Sequence, residues 1–400
     1  MSNPPKGLHI LLLDDGRQAL PFMRSLKRAG HHVTVACGSS FSPARCSRYA
    51  DRRVWWGDYF QDAEAFARHL LAYARKHRPD VTLAVGDIGA GIIARHKEEL
   101  TRWTSVTNPD LDVFDRAADK GRTMAFCMAN GIPCPKTWLP EERGLEAILA
   151  EAPFPVMVKP RRGIGAVGLH RLDAPDALRR HYETLRQRYG ELLVQEFIPL
   201  AEGTQFQAEA FLDGESRMKA CMVIAKTRFF PVTGGTSTAN LTIERPDIQA
   251  SVRRLLEGIR WVGAADVDLI LDPRDQTPKI LEINPRVTAG IKIGFAAGID
   301  YADLHVRLAL GLPVPEVPQY KLGVYSRNLI MDLLWYVYSD RAARRRTWPP
   351  FFRFSGPDVV FQTLSADDPL PLVGFALASA VKYAKPSVWK AKLARDLEDD

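Results

Sequence analysis

Hydrophobic residues in the first 115 positions occur alternately in short continuous runs and at helical spacing. The runs of strand length are LHILLL, HVTVAC, VWW and residues 81–85, whereas residues 17–29 and 62–76 carry apolar positions three or four apart. Alternating buried strands and amphipathic helices are typical of a doubly wound parallel sheet. Residues 1–115 are therefore predicted to form a parallel α/β domain.

The first predicted strand ends in DDGRQAL, so this Rossmann-like domain lacks the G-x-G-x-x-G turn of dinucleotide-binding domains. Asp14, Asp15 and Asp87 follow strands, at the edge where such sheets bind ligands. Roles as turn and helix-capping residues explain them equally well.

Between residues 116 and 315 the pattern predicts a mixed α+β region. A single helix is expected from about residue 115 to Asn130, where Gly131 and two prolines follow. The segments FPVMVKP, LLVQEFI, DVDLIL and KILEIN read as strands, and QFQAEAFLDGESRMKACMVIA reads as a hairpin turning at Asp213-Gly214. Residues 248–260 and 303–310 have helical spacing.

The composition is that of a globular protein of more than one lobe, with 400 residues, 46% hydrophobic and 25% charged. The five cysteines form no C-x-x-C pair, which argues against a disulfide framework or a zinc site and fits a reducing compartment. The net charge of +7 suits anionic ligands, but the charges are mixed along the chain, so nucleic acid is not an expected partner. Neither a signal peptide nor a membrane span is expected.

The strand KILEIN carries Glu282 and Asn284 on one face, because strand side chains alternate. If the loop before it is symmetric, antiparallel pairing places Asp268 opposite Glu282, with Cβ atoms ~4.5–5.5 Å apart. A cation between two such carboxylates relieves their repulsion, and hard oxygen ligands suit Mg²⁺. Asp268, Glu282 and Asn284 are therefore candidate metal ligands, and Asp266 is the runner-up. A solvated face with coincidental acids is the alternative.

The segment VKPRRGIGAVGL combines cations with a glycine-rich loop. Lys159 ends a strand, Arg162 adds charge, and Gly163 and Gly165 permit close approach of backbone N–H groups to phosphate oxygens. Lys120, near a helix start, is a second candidate cation. A simple hairpin tip and a solvated helix residue are the alternatives, and no Walker P-loop is present.

Together these segments resemble the ATP-grasp superfamily in order and spacing. The resemblance covers about residues 115–311 and is carried by ADKGRTMAFCMANGIPCPKTW, VMVKPRRGIGAVGL, LLVQEFI and VDLIL with LEINPR. It implies a two-lobed ATP-grasp domain over residues 116–315, with lobes of about 116–196 and 197–315. Residues 316–400 are left as a C-terminal extension. The subgroup resembled is that of carbamoyl-phosphate-synthetase-like ligases, which join a carboxylate to an amine.

The resemblance also implies roles for particular residues. Lys120 and Lys159 would contact the α- and β-phosphates of ATP, and two Mg²⁺ ions, for which Mn²⁺ substitutes, would lie on the metal ligands. Arg286 would lie beside the γ-phosphate and the carboxylate being activated, and Arg286 and Arg228 would stabilise the oxygens of the acyl phosphate. Adenine would contact the backbone around Gln195, Glu196, Phe197 and Ile198; the ribose contact is left open between Glu202 and Gln205.

The activity implied is formation of an amide through an acyl phosphate, with release of ADP and phosphate. A small-molecule kinase and a non-catalytic nucleotide-binding module are the alternatives. The substrates would be a small-molecule or glycan-linked carboxylate and an amine, in the cytoplasm.

The C-terminal extension contains RAARRR, WPPFFRF and the apolar segment LPLVGFALASAVKYA. One interpretation is a packed extension or a homodimer interface. The other is a basic, amphipathic surface that makes a peripheral contact with the inner face of the membrane.

Overall fold

The computed structural model describes residues 4–39, 41–163, 167–199, 203–232 and 235–383. The strands in these ranges are β1 (His9–Leu13), β2 (His32–Cys37), β3 (Arg52–Trp55), β4 (Val81–Ala84), β5 (Ser105–Val106), β6 (Thr137–Trp138), β7 (Val156–Pro160), β8 (His170–Leu172), β9 (Leu192–Glu196), β10 (Gln205–Leu212), β11 (Met218–Phe230), β12 (Thr236–Ile243), β13 (Gly263–Leu271), β14 (Pro278–Asn284), β15 (Tyr325–Arg327) and β16 (Val359–Phe361).

The helices in the same ranges are α1 (Ala19–Arg28), α2 (Pro43–Cys46), α3 (Ala63–His77), α4 (Asp87–Arg95), α5 (Lys97–Leu100), α6 (Leu111–Ala118), α7 (Lys120–Ala129), α8 (Pro140–Arg143), α9 (Leu145–Glu151), α10 (Pro175–Tyr189), α11 (Pro246–Gly258), α12 (Lys292–Ala296), α13 (Tyr301–Ala309), α14 (Leu329–Tyr338), α15 (Arg341–Arg346) and α16 (Leu370–Tyr383). Within the described part of the chain, none of them has the length and apolar content to cross a lipid bilayer.

The N-terminal region is a five-stranded parallel sheet in the order β3-β2-β1-β4-β5. Its central strand β1 is apolar throughout its buried part, as expected for a strand covered on both faces. The helices α1 and α3 lie where helical spacing predicts them. The predicted Rossmann-like architecture is confirmed.

The helix predicted from residue 115 to Asn130 is wrong in one respect, because the structure has two helices, α6 and α7. Asp119 separates them with extended backbone, and its carboxylate accepts from Arg122 N at 3.2 Å as the cap of α7. The same carboxylate pairs with Arg161, 2.7 Å from Asp119 Oδ2 to Arg161 Nη2. Lys120 is thereby fixed as the first residue of α7, beside the glycine-rich loop.

The remainder of the chain forms two sheets. A four-stranded sheet has the order β6-β9-β7-β8, and a seven-stranded sheet has the order β14-β13-β10-β11-β12-β15-β16. The hairpin predicted between β10 and β11 is confirmed, and Asp213 Oδ1 closes its turn by accepting from Arg217 N at 2.9 Å. The two-lobed α+β expectation is therefore confirmed.

The segment after residue 315 continues the large sheet instead of standing apart from it. β15 pairs antiparallel with β12 and parallel with β16. The helix α16 packs on α2 of the N-terminal region, so closely that a Cβ built on Gly374 would lie 2.7 Å from Cys46 Sγ. The domain boundaries at 115 and 315 remain predictions.

Candidate active site

Four side chains of β13 and β14 occupy one face of the large sheet. Asp268 is the register partner of Glu282, and Asp266 is the partner of Asn284. The register predicted from the symmetric loop is confirmed. The structure thus brings the three predicted metal ligands together on one face with the runner-up, Asp266.

Two lysines reach this carboxylate pair from different elements. Lys120 Nζ, from the start of α7, lies 3.0 Å from Glu282 Oε2, and Lys226 of β11 contacts Asp268 Oδ1. Burial raises the pKa of Glu282, but the ammonium groups of Lys120 and Lys159 outweigh it and hold that pKa below its usual value. The pair is therefore charge-balanced by lysines that come from both lobes.

Lys159, at the end of β7, is buried beside the same group of charges. Burial lowers the pKa of Lys159 to about 8, against the opposing field of Glu282, and Lys120 lowers it further. A buried ammonium of this kind is stabilised by an anion. The location agrees with the predicted phosphate contact, and the contact itself remains a prediction.

Arg286 links Asp266 to the N-terminal domain. Its Nη1 lies 3.1 Å from Asp266 Oδ2, and its Nε lies 3.0 Å from Asp87 Oδ2 at the start of α4. Burial, together with the Asp268 carboxylate, raises the pKa of Asp266 to about 7. Within the described residues, Asp266 Oδ1 is enclosed and lacks a hydrogen-bond partner. Asp87, whose role the sequence left open, is thus part of this site.

Sequence analysis missed Lys226, Gln207 and Glu209, which lie on the same face. Gln207 of β10 pairs with Asp268 in register and donates to Asp266 Oδ2 at 2.6 Å. Glu209 pairs with Asp266, and burial raises its pKa well above the usual value. The available signal was alternation, since the polar residues at 207 and 209 interrupt an apolar strand with a period of two.

The predicted adenine segment lies at the end of β9, in the smaller sheet. Gln195 is buried and donates from Nε2 to Thr137 Oγ1 at 2.8 Å, whereas Glu196 contacts Arg274. Phe197 follows the strand with Arg171 over its ring, and Ile198 is buried. The side chain of Gln195 is thus already occupied, which leaves the backbone after the strand as the candidate adenine contact.

Among the described residues, the others predicted to contact the nucleotide lie in the loop after β7 and at the start of β10. Gly163 has φ +154, and its carbonyl accepts from Lys120 Nζ at 3.1 Å. Arg162 is half exposed and pairs with Asp115 at 2.9 Å. Gln205 begins β10 opposite Ile270. The predicted contacts at Gly165 and Glu202 lie outside the described residues.

The prediction that Arg228 stabilises the acyl phosphate is wrong. Its guanidinium is fully buried and forms two hydrogen bonds to Asp332 of α14, Nε–Oδ1 2.7 Å and Nη2–Oδ2 2.8 Å. Tyr325 and the carbonyl of Pro349 also accept from it. All of these partners lie in the C-terminal extension, so Arg228 joins that extension to β11 and does not face a substrate.

The chemistry of the donors fits a magnesium ion on this face. Across the described part of the chain there is no group of three or more His, Cys, Asp or Glu side chains placed to hold a metal. Mg²⁺ usually takes only one or two protein carboxylates and completes its shell with water and phosphate oxygens. Asp268 and Glu282, opposed in register with Asn284 on the same face, would supply such a partial shell.

Comparison with known proteins agrees with this geometry. Residues 117–290 match the family model of the ATP-grasp domain. The chain is 25% identical over 300 residues to a D-aspartate ligase from Enterococcus faecium, covering 69% of this chain and 70% of the relative. It is 23% identical to the C-terminal section of a carbamoyl phosphate synthase large chain from Methanopyrus kandleri, covering 74% of this chain and 58% of that relative.

Among solved structures, the biotin carboxylase domain of 2-oxoglutarate carboxylase from Hydrogenobacter thermophilus, a complex with MgADP, ADP and bicarbonate, aligns with a TM-score of 0.67. The alignment covers 80% of this chain and 74% of that one at 16% identity, which shows a shared fold. The fold, the family match and the order of the motifs agree. The chain therefore contains an ATP-grasp domain, which the match locates in residues 117–290.

Proposed function

We propose that this protein is an ATP-dependent ligase that joins a carboxylate to an amine through an acyl phosphate. The observation that carries the proposal is the opposed pair Asp268 and Glu282, each held by a lysine from a different element. Such a face suits a metal and a polyphosphate better than a neutral ligand. The relatives, a D-aspartate ligase and a carbamoyl phosphate synthase section, support ligation over phosphorylation alone.

The chain's own residues would bind and position the reactants. Lys120 and Lys159 would exchange their carboxylate neighbours for phosphate oxygens, which favours the charged form of Lys159. Asp268, Glu282 and Asn284 would hold Mg²⁺. When bound, MgATP supplies the phosphoryl group and neutralises part of its charge. Arg286, fixed between Asp266 and Asp87, would orient the carboxylate of the acyl substrate.

The test is a phosphate-release screen of carboxylic acids crossed with amines in the presence of MgATP. Ligation predicts that release requires both substrates and that mass spectrometry finds an amide. Release that needs only one substrate and yields a stable phosphorylated product would instead support the kinase alternative. No release with any pair, despite nucleotide binding, would support the non-catalytic alternative.

Finer properties belong to the same proposal. We propose two Mg²⁺ ions, replaceable by Mn²⁺, a cytoplasmic location and the capacity to form a homodimer. Substrates carried on a glycan are included. The two-ion expectation rests on the family resemblance.

A peripheral contact with anionic membranes is also proposed, at a surface formed by α14, α15 and the segment after them. Val337, Trp348 and Phe352 are 67%, 67% and 71% exposed, next to the arginine-rich α15. Arg344 lies 4.7 Å from the ring centroid of Tyr336, which connects the basic and apolar parts. Exposed aromatics beside arginines are typical of a lipid-surface contact.

Co-sedimentation of the intact chain with anionic and zwitterionic vesicles tests the membrane contact. Binding to anionic vesicles that is lost in Trp348→Ser/Phe352→Ser supports it. Equal sedimentation of the variant, or a dimer that the variant abolishes without any vesicle binding, contradicts it. Truncation before the extension is unsuitable, because it removes β15 from the sheet.

A further inference from the structure

A cavity of about 660 Å³ lies at the junction of three parts of the chain. Its walls come from α1, from α12 and α13, and from the segment after β16. None of the residues proposed to bind nucleotide or metal lines it. The volume is in the range of small-molecule sites.

Three Arg or Lys side chains line the cavity, and among the described residues their ion pairs go to a single carboxylate. Arg24 and Arg28 of α1 share one carboxylate, Asp367, at 2.6 and 3.3 Å. Lys292, on the opposite wall, donates to two neutral acceptors, Leu364 O at 2.8 Å and Ser365 Oγ at 2.6 Å. Burial lowers the pKa of Lys292 to about 8, and the charge of Arg24 lowers it further. The two walls therefore present cations to each other.

Two enclosed nitrogen atoms of the lining residues lack hydrogen-bond partners within the described part of the chain, Nε of Arg24 and Nδ1 of His31, and His31 is only 4% exposed. Oδ1 of Asp367, the carboxylate beside Arg24, is a further enclosed atom without a partner. Leaving a buried polar group unpaired costs about 1–3 kcal/mol. A ligand with acceptor oxygens would satisfy the Arg24 donor, and His31 in the Nδ1–H tautomer.

The acidic residues that line the cavity already accept hydrogen bonds. Asp300 accepts from Ser25 Oγ at 2.5 Å. Asp303 accepts from Arg307 Nε at 2.6 Å, and Asp368 accepts from Ser47 Oγ at 2.5 Å. Among the lining residues that the structure describes, the enclosed polar atoms without a hydrogen-bond partner are therefore nitrogens.

We propose that this cavity is a second ligand site, which binds a small anion, a carboxylate or a phosphate, between Arg24 and Lys292. The site does not depend on the proposed ligase activity. It adjoins the active site through one connection, since Arg17, just before α1, donates to Ala289 O at 3.1 Å in the loop that follows Arg286. A bound anion would stabilise α1 against α12.

Isothermal titration of the full chain with inorganic phosphate and, separately, with acetate tests the site at constant ionic strength in chloride buffer. The titration that shows binding identifies the ligand as a phosphate or a carboxylate. We expect one saturable site per chain, weakened at least about tenfold in Arg24→Gln and Lys292→Met. Lys27→Met is the matched control, because Lys27 lies on α1 but outside the cavity and pairs with Asp51. The same titration in Lys159→Met excludes binding at the nucleotide face.

A second experiment uses the wild-type protein, so that the proposal can be tested even if the variants do not fold. Limited acetylation followed by peptide mass spectrometry should show that the bound anion protects Lys292 and leaves Lys27 unchanged. Absence of saturable binding in both arms overturns the proposal, as does equal binding in folded Arg24→Gln, Lys292→Met and Lys27→Met. Equal acetylation of Lys292 with and without a saturating anion also overturns it.

Discussion

Asp268 of β13 lies directly opposite Glu282 of β14, and the two carboxylates contact different lysines. Lys120 comes from the lobe that carries the glycine-rich loop, whereas Lys226 comes from the large sheet itself. The free protein thus keeps these two carboxylates paired with internal cations. Ligand binding at this face would be an exchange of partners, and the first two predictions concern that exchange.

Replacing Glu282 with Gln should reduce ATP turnover at least about 100-fold. The change removes one of the two opposed carboxylates that are proposed to bind Mg²⁺, and with it part of the electrostatic stabilisation of the reacting phosphate. Phosphate release with the active substrate pair is the measurement. Glu183→Gln on the exposed face of α10 is the control and should be fully active. A fully active Glu282→Gln enzyme contradicts the metal assignment.

Replacing Lys226 with Met should lower the free energy of unfolding by about 1–3 kcal/mol, because Asp268 loses its partner in a site that is only partly exposed. Urea unfolding is the measurement. The double variant Lys226→Met/Asp268→Asn should regain most of the loss, since the unpaired carboxylate is then gone. Strict additivity of the two single changes would show that the pair is not coupled.

Replacing Arg228 with Met should lower the free energy of unfolding by about 1–3 kcal/mol, because the buried Asp332 carboxylate would lose two charged hydrogen bonds and, among the described residues, keep only Arg327 as its ion-pair partner. The control is Arg253→Met on the exposed face of α11, which should cost less than about 1 kcal/mol. Chemical denaturation distinguishes the two. An Arg228→Met chain of unchanged stability but without activity would restore the catalytic role predicted from sequence.

His305 should make the protein sensitive to acid. The imidazole is buried, with Nδ1 2.8 Å from Thr107 Oγ1, and burial lowers its pKa from 6.5 to about 3. Between these values the unfolded chain binds a proton that the folded chain does not. The contribution to stability is therefore complete above pH 6.5 and declines as pH falls towards 3, by about 2 kcal/mol at pH 5.

Urea unfolding from pH 7.5 to 5 should show this decline in the wild type and less of it in His305→Gln. The exposed His69→Gln on α3 is the control and should follow the wild type. Parallel pH profiles for the wild type and His305→Gln would contradict the assignment to His305.

The local parts of this site were accessible from sequence because strand alternation is a local property. The pairing of Asp268 with Glu282 can be predicted from two strands and the short loop between them, and the structure shows this pairing. Lys226 lies on β11, one residue beyond the end of the segment that the sequence predicts as a hairpin. Its role becomes visible only when β11 is placed beside β10.

The position of Arg228 could not be predicted, because its partners lie about a hundred residues later in the chain. Asp332 and Tyr325 belong to elements that close over β11 only in the folded protein. β15 and β16 have three residues each, too few for alternation to be recognised. Patterns reveal pairing between neighbouring segments, but not which distant segment covers a buried charge.

The Arg228–Asp332 pair has a consequence for how this chain can be recombined. A chimera joined at residue 315 would contain β11 with the buried guanidinium of Arg228, but would lack Asp332, the carboxylate that pairs with it. Exchange of the last segment between related proteins must therefore transfer β11 and α14 together, or replace both charges at once. Residues 316–383 are therefore a structural part of the large sheet and its buried ion pair, and cannot be exchanged alone.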